Sequence, residues 1–470
     1  MAPERFQIES FRKIIITLST SIPVSLIAID EAHCVSEWGH DFRTSYLNIG
    51  KTCRSVCSYY GENPPVLALT GTASHSVLKD VQRELEITEF DAIITPKTFD
   101  RQELNFEVIT VNTDKKKDAI KGLLTSKLPD FFHRSFSLLY TTANNSICGL
   151  LFCPHVNGSH GVVEICNWIQ NSLDIPSAFY SGKAPSNRDT YHWMKQKKEI
   201  ASQFKNNEVN LLVATKSFGM GIDKPNIGFT IHYGLPNSIE SFYQEAGRSG
   251  RNRQSSLCTL VVSNEHKKEN THLLNPNTDV DEIMNYMNHK RSYDSDDDIS
   301  RALFFHIKAF RGIDTENIII SNVLDEIFNN IDSKKMVKTF NNMTSNDLSK
   351  KTDIPVKEIQ IERRNLIEKA LHRLVVLGFL EDYTIDYGND EFTLHISDIN
   401  NEIILDKYLL YVSNYNKGVV KSEKNKLINY LSLPKRDFLQ HATDILIRFI
   451  YQTVEKGRRR AFREMLSLAE

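Results

Sequence analysis

Over its first 264 positions the 470-residue chain alternates short apolar runs of strand type with stretches of helical period. Beyond them helical period dominates. The first apolar run, residues 26–29, is bounded by turn-prone neighbours and fits a buried parallel strand. Ahead of it residues 8–18 read as a helix, with Phe6, Phe11, Ile14, Ile15 and Leu18 as its apolar side. Residues 65–74 read as a second buried strand ending in small hydroxyl residues, and 75–90 as a helix. A further α/β segment spans about 104–264, with strands at 106–111, 149–153, 178–182, 209–214 and 227–233. Helices are expected at 162–173, 200–204 and 241–251. Residues 115–117 read as a solvated helix start, and 126–145 follow no clear period. Later, 299–310, 318–328, 345–351 and 361–377 are helical in pattern. Strands at 379–386 and 391–396 flank Gly388-Asn389-Asp390, a hairpin signal. Helix, helix, hairpin outlines a winged helix, a unit that sets a helix or wing on duplex DNA or docks on protein. Residues 400–470 read as all-helical.

Composition adds bounds. The chain is 40% hydrophobic and 25% charged with a formal charge of −2, so any nucleic-acid contact uses local patches. Seven irregularly spaced cysteines suit reduced thiols. No apolar run approaches a membrane span, and the first residues lack a signal-peptide pattern. A soluble, cytoplasmic protein is expected, nuclear if the cell is eukaryotic. The acidic run 294–298 reads as a solvated linker or helix start. His266, His272 and His289 lack metal-ligand spacing, and no cysteine follows Cys258, which excludes a four-cysteine zinc site in that region.

Candidate chemistry begins at the end of the first strand. Asp30 and Glu31 lie where open α/β sheets place ligands. An Asp there can hold Mg²⁺ through water, and a Glu can orient a water against a γ-phosphate. Two solvated acids at a strand end is the plainer reading. His33 can link that point to another surface. Trp38, His40, Phe42 and Arg43 interleave aromatic faces with charge, as single-stranded nucleic acid requires, though a core loop has the same composition. Gln244, Arg248 and Arg251 share one side of the expected 241–251 helix. Arginines so held suit a developing phosphate charge or, more plainly, a salt-bridged surface. Gly457 to Arg460 with Arg463 forms a basic patch that suits phosphate or a solvated helix end. A phosphate-cradling G-x-x-x-x-G-K-S/T loop has one near miss, residues 45–52. Ser45 replaces its first glycine and no strand precedes it, so it reads as a helix.

The DEAH sequence at 30–33, followed at once by the aromatic loop, resembles RecQ-family superfamily-2 DNA helicases. So do Thr70-Gly71-Thr72-Ala73, Phe99-Asp100-Arg101 and the run from Val213 to Arg251. Glu103 and Ser181 stand where the family usually has Asn and His. The resemblance covers residues 1–262 strongly and 299–400 loosely. It implies an α/β fold of two RecA-like motor domains, the first shortened at its N-terminus and the second whole. A mostly helical region with a winged-helix-like unit would follow. The expected domains are 1–98, 99–265, 266–335, 336–400 and 401–470.

The resemblance also implies ATP-driven 3′-to-5′ unwinding in DNA repair or recombination, with single-stranded and forked DNA as partners and no membrane. Asp30 would hold Mg²⁺, Glu31 orient water, and Arg248 and Arg251 stabilise transferred charge. Gly221, Asp223 and Gln244 would border ATP. His33, Trp38, His40, Phe42, Arg43, Thr70, Thr72 and Thr215 would couple to DNA. The chain encodes no complete phosphate loop, so a separate chain would supply that loop. The rival expectations are a non-catalytic DNA-binding or scaffold fragment that needs a separate chain for that loop, or a truncated remnant.

Overall fold

The computed structural model describes all residues except 36–43, 72–74, 90, 96–99, 142–145, 219–222, 290–296, 330–333, 341–342, 353, 355 and 470. The chain divides into two compact units, Met1–Ile94 with Ile307–Gly457, and Thr95–His306 with Arg458–Glu470.

In the first unit, β1 (Ile27–Ile29) and β2 (Val66–Ala68) pair in parallel, Ile27 beside Val66 and Ile29 beside Ala68. Alternation puts Ile27 and Ile29 on one face. There they pack with Ile49, Cys53 and Cys57 of the helix Ile49–Cys57 and with Val77 and Val81 of the helix His75–Glu84. Leu26, Leu67 and Leu69 remain exposed. The helix Glu9–Ser21 forms where the apolar spacing predicts, but its expected buried side differs: Ile14 and Leu18 are more than half exposed, and Ile15 packs on the core. The near-miss phosphate loop is helical from Ile49 on, as read. A Cβ on Gly50 would lie 3.0 Å from the Glu84 carbonyl oxygen, so close helix packing explains that glycine. The Lys51 ammonium donates to the Glu381 carbonyl at 3.0 Å.

The second unit is a six-stranded parallel sheet of β3 (Leu104–Thr110), β4 (Cys148–Phe152), β5 (Ser177–Tyr180), β6 (Leu211–Ala214), β7 (Ile227–Tyr233) and β8 (Ser256–Val262). The spatial order is β3-β8-β7-β4-β6-β5, with every pairing parallel. Interior strands of such a sheet are covered on both faces. Accordingly β4, β6 and β8 are buried at every residue, whereas the edge strand β3 is mostly exposed or half-buried. The helices Val162–Leu173 and Thr190–Lys205 flank it, the second starting ten residues earlier than its pattern predicts because Asp189 caps it through the His192 amide. The unperiodic stretch contains a π-helical turn, Leu123–Lys127, and the short helices Leu128–Phe131 and Phe136–Leu139.

Three charge assignments change. Lys116, expected in solvent, is fully buried and bonded to Asp298, which begins the helix Asp298–Ala309. Asp297 and Asp298, the described end of the acidic run, are both buried. Arg459 of the basic patch is also buried, donating to the carbonyls of Asn275 (2.7 Å) and Thr278 (2.8 Å).

The later part of the first unit runs helix Ile313–Phe328, β9 (Lys335–Lys338), helix Ser345–Thr352, helix Val356–Val376, β10 (Leu380–Asp386) and β11 (Glu391–Ile396). The three strands form an antiparallel sheet, β10-β11-β9. That order is a winged helix with β10 and β11 as the wing. Helices Asn401–Tyr415 and Lys435–Ile450 follow. Among the described residues no helix is long and apolar enough to cross a membrane, and no His, Cys, Asp or Glu group has metal-binding geometry.

Candidate nucleotide and nucleic-acid site

Parallel pairing brings the ends of β1 and β2 together, so residues 30–33 and Thr70 emerge side by side. Glu31 has φ +50°, a left-handed conformation uncommon for a residue with a side chain and typical of functional turns. The turn is held by the Ala32 amide donating to the Leu69 carbonyl at 2.9 Å. Asp30 accepts the Glu31 amide at 3.0 Å through Oδ1. Buried His33 sets its Nδ1 3.0 Å from Thr70 Oγ1 and 3.4 Å from Glu31 Oε2. Glu31, His33 and Thr70 therefore form one polar chain from the acid pair to the end of β2. Trp38, His40, Phe42, Arg43 and Thr72 lie outside the described residues, as does Gly221.

In the second unit the helix Ile239–Ala246 starts at Ser238, whose side chain caps the Ser241 amide, and ends at Ala246 with Gly247 beyond. Gln244 is on the helix, while Arg248 and Arg251 are in the turn that follows, a correction to the expected shared helical side. Gly250 explains the ending: its φ is +66°, and a Cβ there would lie 2.8 Å from Glu103. Arg251 pairs with Asp223 at 2.8 Å. The Gly250 amide donates to the carbonyl of Ile227, the first residue of β7, so this turn sits at the leading end of that strand. Thr215 leaves the trailing end of β6 and bonds Ser217 at 2.8 Å. Hence Asp223, Arg248 and Arg251 gather at one end of the sheet and Thr215 at the other. Ser181, at the end of β5, donates to the Lys183 carbonyl.

Two supports hold the arginine turn: Arg101 with Glu103, both quoted above for the resemblance, and His232 with Glu245, which sequence did not single out. Arg101 donates to the carbonyls of Gly247 (3.2 Å) and Ser249 (3.0 Å), and Glu103 pairs with Arg101. The Glu103 carboxyl lies below its ordinary range because of its own backbone amide and Arg101. Buried His232 on β7 binds Glu245 at 2.9 Å and stacks on Phe152, fixing the helix ahead of the turn. Arg101 is the arginine of the quoted F-D-R motif, which was its signal in the sequence; nothing local pairs His232 with Glu245.

A parallel α/β sheet with these motifs at its strand ends defines a helicase-type motor domain, and the family model described as helicase conserved C-terminal domain matches residues 134–253. The relatives narrow the class. The chain is 33% identical over 263 residues to ATP-dependent DNA helicase RecQ of Bacillus subtilis, covering 56% of this chain and 38% of that one. It is 35% identical over 239 residues to ATP-dependent helicase wrn-1 of Caenorhabditis elegans, covering 50% and 20%. It is 36% identical over 249 residues to the bifunctional 3'-5' exonuclease/ATP-dependent helicase WRN of Mus musculus, covering 52% and 15%. Over that half of its length the chain is similar in sequence to RecQ-family superfamily-2 helicases, and it spans less than half the length of these curated relatives. The solved DEAD-box helicase Mss116 bound to ssRNA and UDP-BeF overlaps 76% of this chain and 63% of its own at 16% identity and TM-score 0.41; the fold rests on the sheet order above.

Proposed function

We propose that this chain is the motor of an ATP-dependent DNA helicase of RecQ type, unwinding 3′ to 5′ on single-stranded and forked DNA in repair or recombination. The observation that carries the reading is the Glu31–His33–Thr70 chain, which links the acid pair of β1 to the end of β2. Asp30 suits a hydrated Mg²⁺: it is exposed, its Oδ1 is engaged by a backbone amide, and Mg²⁺ keeps waters around one or two carboxylates. Bound with ATP, the ion would neutralise charge on the phosphates. Glu31 orients the attacking water and accepts its proton, and His33 reports that event to Thr70. Arg248 and Arg251 stabilise charge on the transferred phosphoryl group, with Asp223 holding Arg251 until then and Gln244 beside them. Gly221, Thr215, Thr72, Trp38, His40, Phe42 and Arg43 complete the proposed nucleotide and DNA contacts.

Lys51 is committed to the Glu381 carbonyl and is not the phosphate-cradling lysine in this proposal. The second reading is a DNA-binding or scaffold subunit without catalysis, favoured by that same commitment. ATP turnover with single-stranded DNA, wild type against Glu31→Gln, separates them. DNA-stimulated turnover lost in Glu31→Gln supports the motor. Tight DNA binding with zero turnover, alone and with a phosphate-loop polypeptide added, supports the scaffold.

A further inference from the structure

The wing of the winged-helix unit carries the wrong charge for DNA. Strands β10 and β11 with their turn contain Glu381, Asp382, Asp386, Asp390 and Glu391, and no Lys or Arg. Proteins that hold duplex DNA neutralise its phosphates with Lys and Arg. The helix Val356–Val376, which stands in the position of a recognition helix, is equally committed. Arg363 and Arg364 both bind Asp390 of the wing, at 2.8 and 2.7 Å. Its second half is covered: Leu371 and Leu374 are fully buried, and His372 and Arg373 nearly so.

What the wing touches is this chain's own N-terminal segment. The Arg12 guanidinium donates to the Asp382 carboxylate at 2.6 Å and to the Tyr383 carbonyl at 3.3 Å. The Tyr387 hydroxyl donates to Gln7 Oε1 at 2.8 Å, and Lys51 reaches the Glu381 carbonyl at 3.0 Å. On β9, Lys335 pairs with Glu9 at 2.9 Å. Gln7 is 5% exposed and the Arg12 side chain 12%, so their bonds to the wing are largely shielded from water, whereas the Lys335–Glu9 and Lys51–Glu381 bonds are exposed. The helix Glu9–Ser21 leaves Ile14, Ile16 and Leu18 largely in solvent and gains little from apolar burial. Beside the packing of Ile15 on the core, its placement draws on polar bonds to the wing.

We infer that the wing is a clasp for residues 7–12 and the helix Ile49–Cys57, and that this intrachain protein surface, not duplex DNA, is its partner. The inference is independent of the catalytic reading, since it needs neither ATP nor turnover. Hydrogen exchange on the full chain tests it, with duplex binding measured on the same samples. Arg12→Asp and Asp382→Arg alone each raise exchange in the N-terminal helix about tenfold, and the double swap restores protection. Tyr387→Phe, which changes no charge, raises exchange there and leaves duplex affinity within about twofold; a chain with no measurable duplex affinity agrees equally. Unchanged exchange in the single variants, or failure of the swap to restore it, overturns the clasp. So does a loss of duplex affinity of about tenfold in Tyr387→Phe with exchange unaltered.

Discussion

Replacing Asp298 by Asn removes the anion around which a buried cluster is built. The side chains of Lys116, Asp298 and Arg301 are 0%, 2% and 4% exposed. Lys116 donates to both carboxylate oxygens, at 3.0 and 2.9 Å, and lies 4.2 Å from the centre of the Tyr233 ring. The Ser263 amide and hydroxyl bond the same carboxylate at 2.7 and 3.1 Å, and Arg301 completes the set. Burial alone would raise the Asp298 carboxyl's pKa; Lys116 and Arg301 overcome it and hold the group down at about 2 against an ordinary 3.8. That shift corresponds to about 2 kcal/mol of stability at neutral pH. Because the folded value is the lower one, this contribution is whole above about pH 4 and is lost as pH falls toward 2. The Asp298→Asn substitution removes the carboxylate that two buried cations share, at a cost of about 3–5 kcal/mol. For a unit of about 200 residues that lowers Tm by roughly 6–20 °C in scanning calorimetry at pH 7. Adding Lys116→Met to Asp298→Asn recovers part of the loss, since one of the two buried charges left without a carboxylate is then gone. A fall below about 2 °C, or an equal loss at pH 2.5 where the wild type has shed most of its own contribution, would refute the reasoning.

Three shorter predictions follow from single contacts. Arg459→Met strands the carbonyls of Asn275 and Thr278 and costs about 2–3 kcal/mol in denaturant unfolding. Lys51→Ala leaves nucleotide affinity within about twofold in a titration with a fluorescent ATP analogue, because a helical lysine bound to a carbonyl is not a phosphate ligand. Gly250→Ala forces a left-handed residue against Glu103 and destabilises by about 1–3 kcal/mol, measured by thermal melting.

The parallel sheet was legible because its interior strands are unbroken apolar runs: β4 and β7 lie within a residue of their expected bounds, and the helix Val162–Leu173 matches its own. β9 was not, because KMVK offers only a four-residue alternation between lysines. Lys116 and Asp298 read as solvated because each belongs to a local charge run, and their partnership spans 182 residues. Ile14 and Leu18 have helical spacing, but spacing identifies a side of the helix without saying what covers it. At the site, the acid pair, His33 and Thr70 were readable because a strand end fixes their neighbourhood. Arg248 was misplaced on the helix because Gly247 and Gly250 redirect the chain through packing against Glu103, a constraint no helical period contains.

The most direct test of the account is a double-mutant cycle on DNA-stimulated ATP turnover, Glu31→Gln against Arg248→Ala, with a phosphate-loop polypeptide present. Residues acting on one phosphoryl transfer are strongly non-additive, so the double variant should turn over no more slowly than the slower single. Additive losses, or wild-type turnover that neither substitution reduces, would contradict it.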